Sequence, residues 1–129
     1  MSTPTELVQE FVAAFIAAWP EGDATKLDCF FSEDAVYHNG PMEPIEGRVA
    51  IQAALADFMG LGGHVGVDIA HIVADGPIVM TERVDHLIWA ERTVSLPLMG
   101  IFEIHNGVIT AWRDYFDLNQ FTSRMADTA

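Results

Sequence analysis

The Asp114 carboxylate lies between two aromatic neighbours on its own face of a predicted strand. Alternation along an extended strand puts Trp112 and Phe116 on the same face as Asp114. Burying a carboxylate between two aromatic rings costs free energy unless a cation or a proton neutralises it. Arg83 is an available counter-ion, and strand alternation places Asp85 beside it. Because a planar guanidinium binds two carboxylates at once, the sequence predicts an Asp–Arg–Asp cluster.

Such a cluster has the composition that general acid–base catalysis requires. Two carboxylates and one guanidinium carry a net charge of about −1, and one bound proton makes the cluster neutral. One aspartate then serves as a protonated acid and the other as an ionised base. The alternative interpretation is a buried ion bridge that joins two strands. Burying three ionisable groups is a poor way to gain stability, so a cluster that lines a cavity favours the catalytic interpretation.

Tyr37 and Asn39 supply a third element. They lie two residues apart in a short strand, so they offer a hydroxyl and an amide to the same side. Together with Asp114 they can hold a water molecule from three directions. The alternative is a tyrosine that packs through its ring and an asparagine that satisfies the Gly40-Pro41 turn. Spacing alone favours that alternative.

The first half of the chain is typical of helices. Thr3-Pro4-Thr5-Glu6 forms a capping-box sequence, and apolar residues then recur at helical spacing until Trp19-Pro20. A second short helix is predicted from a cap at Asp23 through Phe31, with Cys29 buried in it. The remaining predicted elements of this half are a strand at Ala35–Asn39, a Gly/Pro loop at Gly40–Pro44 and a helix at Gly47–Met59.

The second half is typical of a sheet. Four long β-rich stretches are separated by short turns such as Asp75-Gly76 and Asn106-Gly107. Helices followed by antiparallel strands indicate an α+β fold, a curved mixed, mostly antiparallel sheet wrapped by N-terminal helices into a cone with an internal pocket. We expect one domain over residues 1–129 and a loose C-terminal tail at Phe121–Ala129. The four predicted strands are Val67–Ala74, Ile78–Ala90, Thr93–His105 and Val108–Leu118.

The faces of the last two strands constrain their connection. On Thr93–His105 the even positions are apolar, so the even residues are predicted to face inward, Leu98 among them. A strict two-residue turn at Asn106-Gly107 pairs even with odd positions and puts Leu98 and Asp114 on opposite faces. We therefore predict an odd-length loop with a bulge near Gly107.

Composition excludes several classes of protein. Six Lys and Arg against nineteen Asp and Glu give a net charge of −13, which argues against nucleic acid and anionic membrane as partners. No apolar run approaches the ~20 residues of a membrane span. A single cysteine excludes an internal disulfide, and five dispersed histidines argue against a metal site. The first ten residues contain no Lys or Arg, so we expect a cytoplasmic protein without a secretory signal.

Three segments together resemble the signature segments of the limonene epoxide hydrolase family, in order and in separation: Tyr37-His38-Asn39, Thr81-Glu82-Arg83-Val84-Asp85 and Trp112-Arg113-Asp114-Tyr115-Phe116-Asp117. The resemblance spans nearly the whole chain. It implies a SnoaL-like (nuclear-transport-factor-like, cystatin-like) cone and a homodimer built on the outer sheet face. It also implies catalysis with no metal, no organic cofactor and no covalent intermediate.

The resemblance also implies a role for each site residue. Asp114 matches the base that deprotonates the nucleophilic water, and Tyr37 and Asn39 match the residues that hold this water. Asp85 matches the acid that protonates the epoxide oxygen, and Arg83 matches the bridge between the carboxylates. A cover over the pocket mouth is expected from the helix within residues 1–19 or from residues 60–66. The expected pocket walls are Leu87, Leu96, Leu98, Trp112 and Phe116.

The resulting hypothesis is a cofactor-independent epoxide hydrolase that converts small apolar epoxides (terpene-like, cyclic or aryl) and water into vicinal diols. One alternative is a ketosteroid-isomerase-like or polyketide-cyclase-like enzyme on the same cone, which needs one carboxylate and no bridging arginine. A second alternative is a non-catalytic module that binds an apolar ligand. The pair of carboxylates with its arginine favours hydrolysis over both.

Overall fold

The computed structural model describes residues 2–127 of the chain. The α-helices are α1 (Pro4–Ala18), α2 (Arg48–Met59) and α3 (Leu118–Ala126). Two short 3-10 helices follow α1, at Trp19–Glu21 and Ala24–Phe30. The strands are β1 (Phe31–Asn39), β2 (Ile45–Glu46), β3 (His64–Asp75), β4 (Ile78–Ile88), β5 (Thr93–His105) and β6 (Val108–Tyr115).

The predicted capping box starts α1. The Thr3 hydroxyl accepts a hydrogen bond from the Glu6 backbone N–H at 3.1 Å, and the Glu6 carboxylate accepts one from the Thr3 N–H at 2.9 Å. These bonds satisfy two backbone donors that a helix start otherwise leaves open. The apolar side of α1, including Val8 and Phe11, is buried against the sheet.

The six strands form one curved sheet in the order β2-β1-β6-β5-β4-β3. Within residues 2–127, β1 and β6 run parallel, and the other four neighbouring pairs of the sheet are antiparallel. The α+β class and the mixed, mostly antiparallel sheet are therefore confirmed. Even positions of β5 point into the core as predicted, and odd positions such as Met99 point outward. Within residues 2–127, no helix is long and apolar enough to cross a membrane.

The connection between β5 and β6 differs from the prediction. The loop is a two-residue turn in which Asn106 and Gly107 have φ values of 53° and 78°, as hairpin turns that match strand twist require. The expected odd-length loop is therefore wrong. The extra residue is Thr110 in β6, because Ile104 pairs with Ile109 while Glu103 pairs with Ala111. One extra residue is needed if Leu98 and Asp114 are to face the same side of the sheet. A strand accommodates it as a bulge more readily than a turn that already suits Asn-Gly.

The second short helix also differs from expectation. It is a 3-10 helix that ends at Phe30, and Phe31 begins β1. Three residues per turn align Ala24 and Leu27 toward the core. Cys29 falls off this line and is exposed, so the prediction that it is buried is wrong.

The C-terminal segment is ordered as a helix. The Asp117 side chain caps α3 by accepting a hydrogen bond from the Gln120 N–H at 3.2 Å. At the other end, the Arg92 guanidinium donates to the carbonyls of Met125 and Asp127 at 3.0 and 2.6 Å. A cation at the last carbonyls of a helix is favourable. The predicted loose tail is therefore wrong as far as residue 127, and residues 128–129 lie outside the described part of the chain.

Candidate active site

A single row of inward-facing positions crosses four strands beneath the site. Asn39 on β1 lies opposite Asp114 on β6, Asp114 lies opposite Gly100 on β5, and Gly100 lies opposite Thr81 on β4. The bulge at Thr110 sets this register, because it moves Asp114 from an odd to an even partner on β5. The extra residue in β6 is therefore the reason that Asp114 faces the core.

The Arg83 guanidinium bonds two members of this row, Asp114 and Thr81, and it also bonds Asp85. Its Nη2 donates to Asp114 Oδ2 at 2.7 Å and to Asp85 Oδ2 at 3.3 Å, and its Nε donates to Asp85 Oδ1 at 2.9 Å. The third nitrogen, Nη1, donates to the Thr81 hydroxyl at 3.1 Å. Burial disfavours the charge on Arg83, but Asp114 and Asp85 outweigh it and raise its pKa above the usual value, so it stays cationic.

Asp114 is the more buried of the two carboxylates. Its side chain is 6% exposed, against 29% for Asp85. Oδ1 of Asp114 accepts a hydrogen bond from the Trp112 indole N–H at 2.8 Å, so both of its oxygens are bonded. Burial raises the pKa of Asp114, and the Arg83 and Trp112 donors oppose that rise without cancelling it. The two carboxylates of the cluster thus sit in different environments, one dry and one near solvent.

Tyr37 and Asn39 flank Asp114. The Tyr37 ring stacks on Trp112 with ring centroids 4.1 Å apart, and Tyr37 is buried. Burial, reinforced by Asp114, raises the Tyr37 pKa well above its usual value, so the hydroxyl keeps its proton. Within residues 2–127 neither side chain forms a hydrogen bond to another residue, and both line the cavity. The ring-packing interpretation of Tyr37 is correct, yet its polar end faces the same space as the carboxylates.

A cavity of about 150 Å³ lies above the cluster. All five expected wall residues line it, and the polar side chains gather at one end. Part of the wall comes from the two regions expected to cover the mouth, through Phe15 and Trp19 at the end of the first helix and Leu61 in the loop after α2. It also comes from Phe121 of α3, whose ring meets Phe116 edge-on at 6.3 Å.

The contributors that the sequence analysis missed include Thr81, Gly100 and Phe121. Gly100 carried a readable signal, since a glycine at an inward position of an otherwise apolar strand often marks a close approach. A Cβ at Gly100 would lie 2.1 Å from Arg83 Nη1, so the missing side chain is the space that the guanidinium fills. Thr81 carried no such signal, because threonine is common on any strand.

The donor set of the cluster is suited to moving protons. Its groups are two carboxylates, a phenol, an amide and a guanidinium, which together accept, donate and orient. Within residues 2–127, no group of three His, Cys, Asp or Glu side chains is placed to hold a metal ion. The geometry defines an apolar cavity whose polar lining is this cluster of carboxylates, phenol, amide and guanidinium.

A small α+β cone with a bridged pair of carboxylates at the closed end of an apolar cavity describes a class of acid–base enzyme. The family model described as the limonene-1,2-epoxide hydrolase catalytic domain matches residues 6–126. The chain is also 38% identical over 107 residues to the epoxide hydrolase EphG of Mycobacterium tuberculosis, covering 83% of this chain and 71% of that protein. The chain belongs to the limonene-1,2-epoxide hydrolase family and is a hydrolase.

Solved structures give the same result for the fold. An LEH-like epoxide hydrolase from M. tuberculosis superposes with a TM-score of 0.73 at 33% identity, covering 95% of this chain and 91% of that one. A putative polyketide cyclase from Pseudomonas putida KT2440 superposes with a TM-score of 0.70 at 28% identity, covering 96% and 98%. The cone therefore occurs in proteins with different names, and the function must be argued from the site.

Proposed function

We propose that this protein adds water to small apolar epoxides in one step and releases vicinal diols. The observation that carries the proposal is the Arg83 guanidinium, which bonds Asp85 and Asp114 simultaneously at the closed end of an apolar cavity. Opening an epoxide requires a nucleophile at carbon and a proton at oxygen in the same transition state. A bridged pair of carboxylates in unlike environments supplies one group for each task.

Asp114 is the proposed base. Its raised pKa makes it a stronger proton acceptor than an ordinary carboxylate. A water molecule held by Tyr37, Asn39 and Asp114 loses a proton to Asp114 as its oxygen bonds to the epoxide carbon. Holding that water in an attack position supplies much of the acceleration, since orientation converts a random encounter into an intramolecular step.

Asp85 is the proposed acid. It gives its proton to the epoxide oxygen as the carbon–oxygen bond breaks, so the product carries two hydroxyl groups and no intermediate is bound to the protein. Turnover leaves the proton on Asp114 and none on Asp85, so the starting state returns when Asp114 releases that proton to water and Asp85, which is 29% exposed, takes one up from water. Each positioned proton transfer contributes typically 10²–10⁴-fold to the rate.

The cavity limits the substrate. A cavity of about 150 Å³ with apolar walls resembles in size those that admit benzene. Cyclic and aryl epoxides of that size fit directly, and a terpene-like epoxide needs the mouth to widen. The walls exclude bulk water, which strengthens the electrostatic interactions of the cluster.

The decisive experiment measures diol formation from a panel of epoxides in ¹⁸O-labelled water, with the position of the label read by mass spectrometry. Single-turnover reactions with excess enzyme distinguish direct attack by water, which labels the diol, from transfer of a carboxylate oxygen. Asp114→Asn and Asp85→Asn are each expected to lose at least about 10³-fold in turnover while remaining folded. Near-wild-type turnover in either folded variant overturns the mechanism.

The same experiment separates the alternatives. An isomerase or cyclase on this cone changes an enone or polyketide substrate without taking up label, and it has no use for Arg83. A binding module retains an epoxide and never converts it. Asp75→Asn, at the exposed β3–β4 turn, is a matched control that keeps full activity.

We also propose a homodimer built on the outer sheet face. Large apolar side chains are exposed on that face, among them Val73, Met80, Met99 and Tyr115. They lie side by side on neighbouring strands, since Val73 pairs with Met80 and Met99 pairs with Tyr115. Contiguous exposed apolar surface is typical of an interaction site. Sedimentation equilibrium is expected to give twice the chain mass for the wild type and the monomer mass for Met99→Glu. A monomeric wild type contradicts the proposal.

Catalysis is proposed to need no metal or organic cofactor, and the protein is proposed to act in the cytoplasm. Exhaustive dialysis against a chelator is then expected to leave turnover unchanged. Cell fractionation is expected to recover the enzyme with cytoplasmic markers. Loss of activity on dialysis, or recovery outside the cytoplasm, contradicts the corresponding statement.

A further inference from the structure

Thr81 is a fully buried polar residue beneath the cluster, with a relative exposure of 0%. Its hydroxyl donates to the Gly100 carbonyl at 3.2 Å and accepts from Arg83 Nη1 at 3.1 Å. A hydroxyl has one proton and two lone pairs. Because that proton is directed at a carbonyl on the neighbouring strand, the lone pairs of Thr81 are turned toward the guanidinium.

Gly100 provides the space for this contact. A Cβ at Gly100 would lie 2.1 Å from Arg83 Nη1 and 2.6 Å from Asp114 Oδ1. The guanidinium therefore lies directly against the β5 backbone, with Thr81 on one side and Asp114 on the other. Its position is set by a hydroxyl and by the absence of a side chain.

We propose that Thr81 is a positioning residue for catalysis, one that holds Arg83 Nη1 so that Nε and Nη2 are left to bridge the two carboxylates. The inference rests on the proposed acid–base function and adds a residue to it. A guanidinium has three nitrogens, and burying one of its donors without a partner is unfavourable. Without the Thr81 acceptor, Arg83 is expected to rotate until Nη1 meets a carboxylate, which breaks the bridge between Asp85 and Asp114.

This role has a kinetic signature that a purely structural role lacks. Thr81 is fully buried, so it cannot touch substrate, and its loss is expected to lower kcat while KM changes little. A displaced guanidinium also supports the anionic form of Asp114 less well. The pKa of Asp114 then rises further, and the acid limb of the pH–rate profile moves to higher pH.

The experiment compares Thr81→Val, which keeps the shape and removes the hydroxyl, with Thr81→Ser, which keeps the hydroxyl. Thr81→Val is expected to lose about 10- to 100-fold in kcat, the range for a hydrogen bond to a charged group. Thr81→Ser is expected to remain within about threefold of wild type. The matched control is Thr25→Val, because the exposed Thr25 hydroxyl also donates a hydrogen bond, to the Asp23 carboxylate, and neither residue lines the cavity. It is expected to leave kcat and the pH profile unchanged.

Gly100→Ala tests the same contact from the other side and serves if Thr81→Val does not fold. Its methyl group displaces the guanidinium, so the same loss of kcat and the same shift of the acid limb are expected. An unchanged kcat and pH profile in folded Thr81→Val or Gly100→Ala overturns the proposal, as does a Thr81→Ser variant as impaired as Thr81→Val.

A second measurement separates failure of this inference from failure of the proposed function. Titration of the aspartate side-chain carboxyl carbons by ¹³C NMR reports Asp114 without any substrate. Thr81→Val is expected to raise the pKa of Asp114 relative to wild type, and Thr81→Ser is not. If the wild type opens no epoxide, the function is wrong while this titration still tests the role of Thr81. If the wild type is active and the titration does not move, the positioning role is wrong.

Discussion

The two ends of the cavity are held in place by different means. At the closed end, Arg83 and Asp114 are buried and lie on β4 and β6, two strands of one hydrogen-bonded sheet that β5 separates. At the mouth, Phe121 is carried by α3, a nine-residue helix in which none of the described residues is buried. Hydrogen bonds from Arg92 and Arg124 attach this helix to the rest of the molecule.

This contrast separates chemistry from selectivity. Proton transfer requires atoms held to within a fraction of an ångström, and a sheet with paired backbone groups provides such rigidity. Admission of substrate requires an element that opens at little cost, and a short exposed helix has the few buried contacts that permit this. We therefore expect substitutions at the closed end to change rates and substitutions at the mouth to change which substrates enter.

Among the changes that compare the two ends of the cavity, Arg83→Lys is expected to have the largest effect. An ammonium is a single point charge and cannot bond both carboxylates in the planar geometry that a guanidinium allows. Turnover is expected to fall by about 10²–10³-fold, and the free energy of unfolding by about 1–3 kcal/mol, because buried carboxylate oxygens lose donors. Steady-state kinetics and thermal unfolding measure the two effects.

The matched control for that change is Arg113→Lys. Arg113 is the neighbour of Asp114 on β6, but it points to the outer face and pairs with Glu103 there. An ion pair that is partly exposed to solvent contributes about 0–1 kcal/mol, so this variant is expected to keep its activity. If the two lysine variants lose equal activity, Arg83 contributes no more to turnover than Arg113 on the outer face does. The proposed role of the closed end in setting the rate is then wrong.

A change at the mouth is expected to be smaller and of a different kind. Phe121→Ala removes a ring from the cavity wall. The ratio of kcat/KM for limonene oxide to that for cyclohexene oxide is expected to rise about tenfold, because pocket contacts of this size are worth about 1–3 kcal/mol. Leu118→Ala, at the exposed start of the same helix, is the control. An unaltered ratio in Phe121→Ala shows that α3 does not select substrate.

The burial of Asp114 predicts a pH dependence of stability. Its pKa is raised in the folded state, so between about pH 4, where an unfolded aspartate titrates, and the raised value the folded protein binds more protons. Asp114 therefore makes the wild type less stable as pH rises through that window. The melting temperature of Asp114→Asn minus that of wild type should increase with pH over the window and level off above it. A difference that is flat or decreasing shows that burial does not raise the pKa of Asp114 in the folded protein.

Several features could be predicted from the sequence because they depend on local pattern. The Thr3 capping box and the even, inward residues of β5 are set by near neighbours along the chain. The encounter of Arg83 with Asp114 followed from the cost of burying a carboxylate between aromatic residues. That argument holds only if Asp114 and the even residues of β5 face the same side of the sheet. This in turn requires one extra residue somewhere in the β5–β6 hairpin.

The remaining features depend on contacts that sequence patterns do not specify. The sequence pattern is equally compatible with an extra residue at Gly107 or at Thr110. The two-residue hairpin turn formed by Asn106-Gly107 is what places it at Thr110. The helix α3 has few buried contacts, and hydrogen bonds with Arg92 and Ser95, which are far away in the sequence, fasten it, so its own residues are a weak indication of order. Thr81 acquires its role only because the strand pairing places Gly100 opposite it.

The smallest effect is expected from Arg124→Ala. Its guanidinium donates to the carbonyl of Ser95, on a part of β5 that extends beyond its pairing with β6. The bond is exposed, so its loss is expected to cost at most about 1 kcal/mol of global stability. Its effect should be local: hydrogen exchange of α3 amides is expected to quicken about threefold or more, while β4 and β5 amides stay protected. Arg48→Ala removes a comparable arginine-to-carbonyl bond, to Phe31, far from α3, and should leave α3 exchange unchanged. Faster exchange in β4 as well as α3 would mean that the mouth and the closed end open together, and rate and selectivity could then not be altered separately.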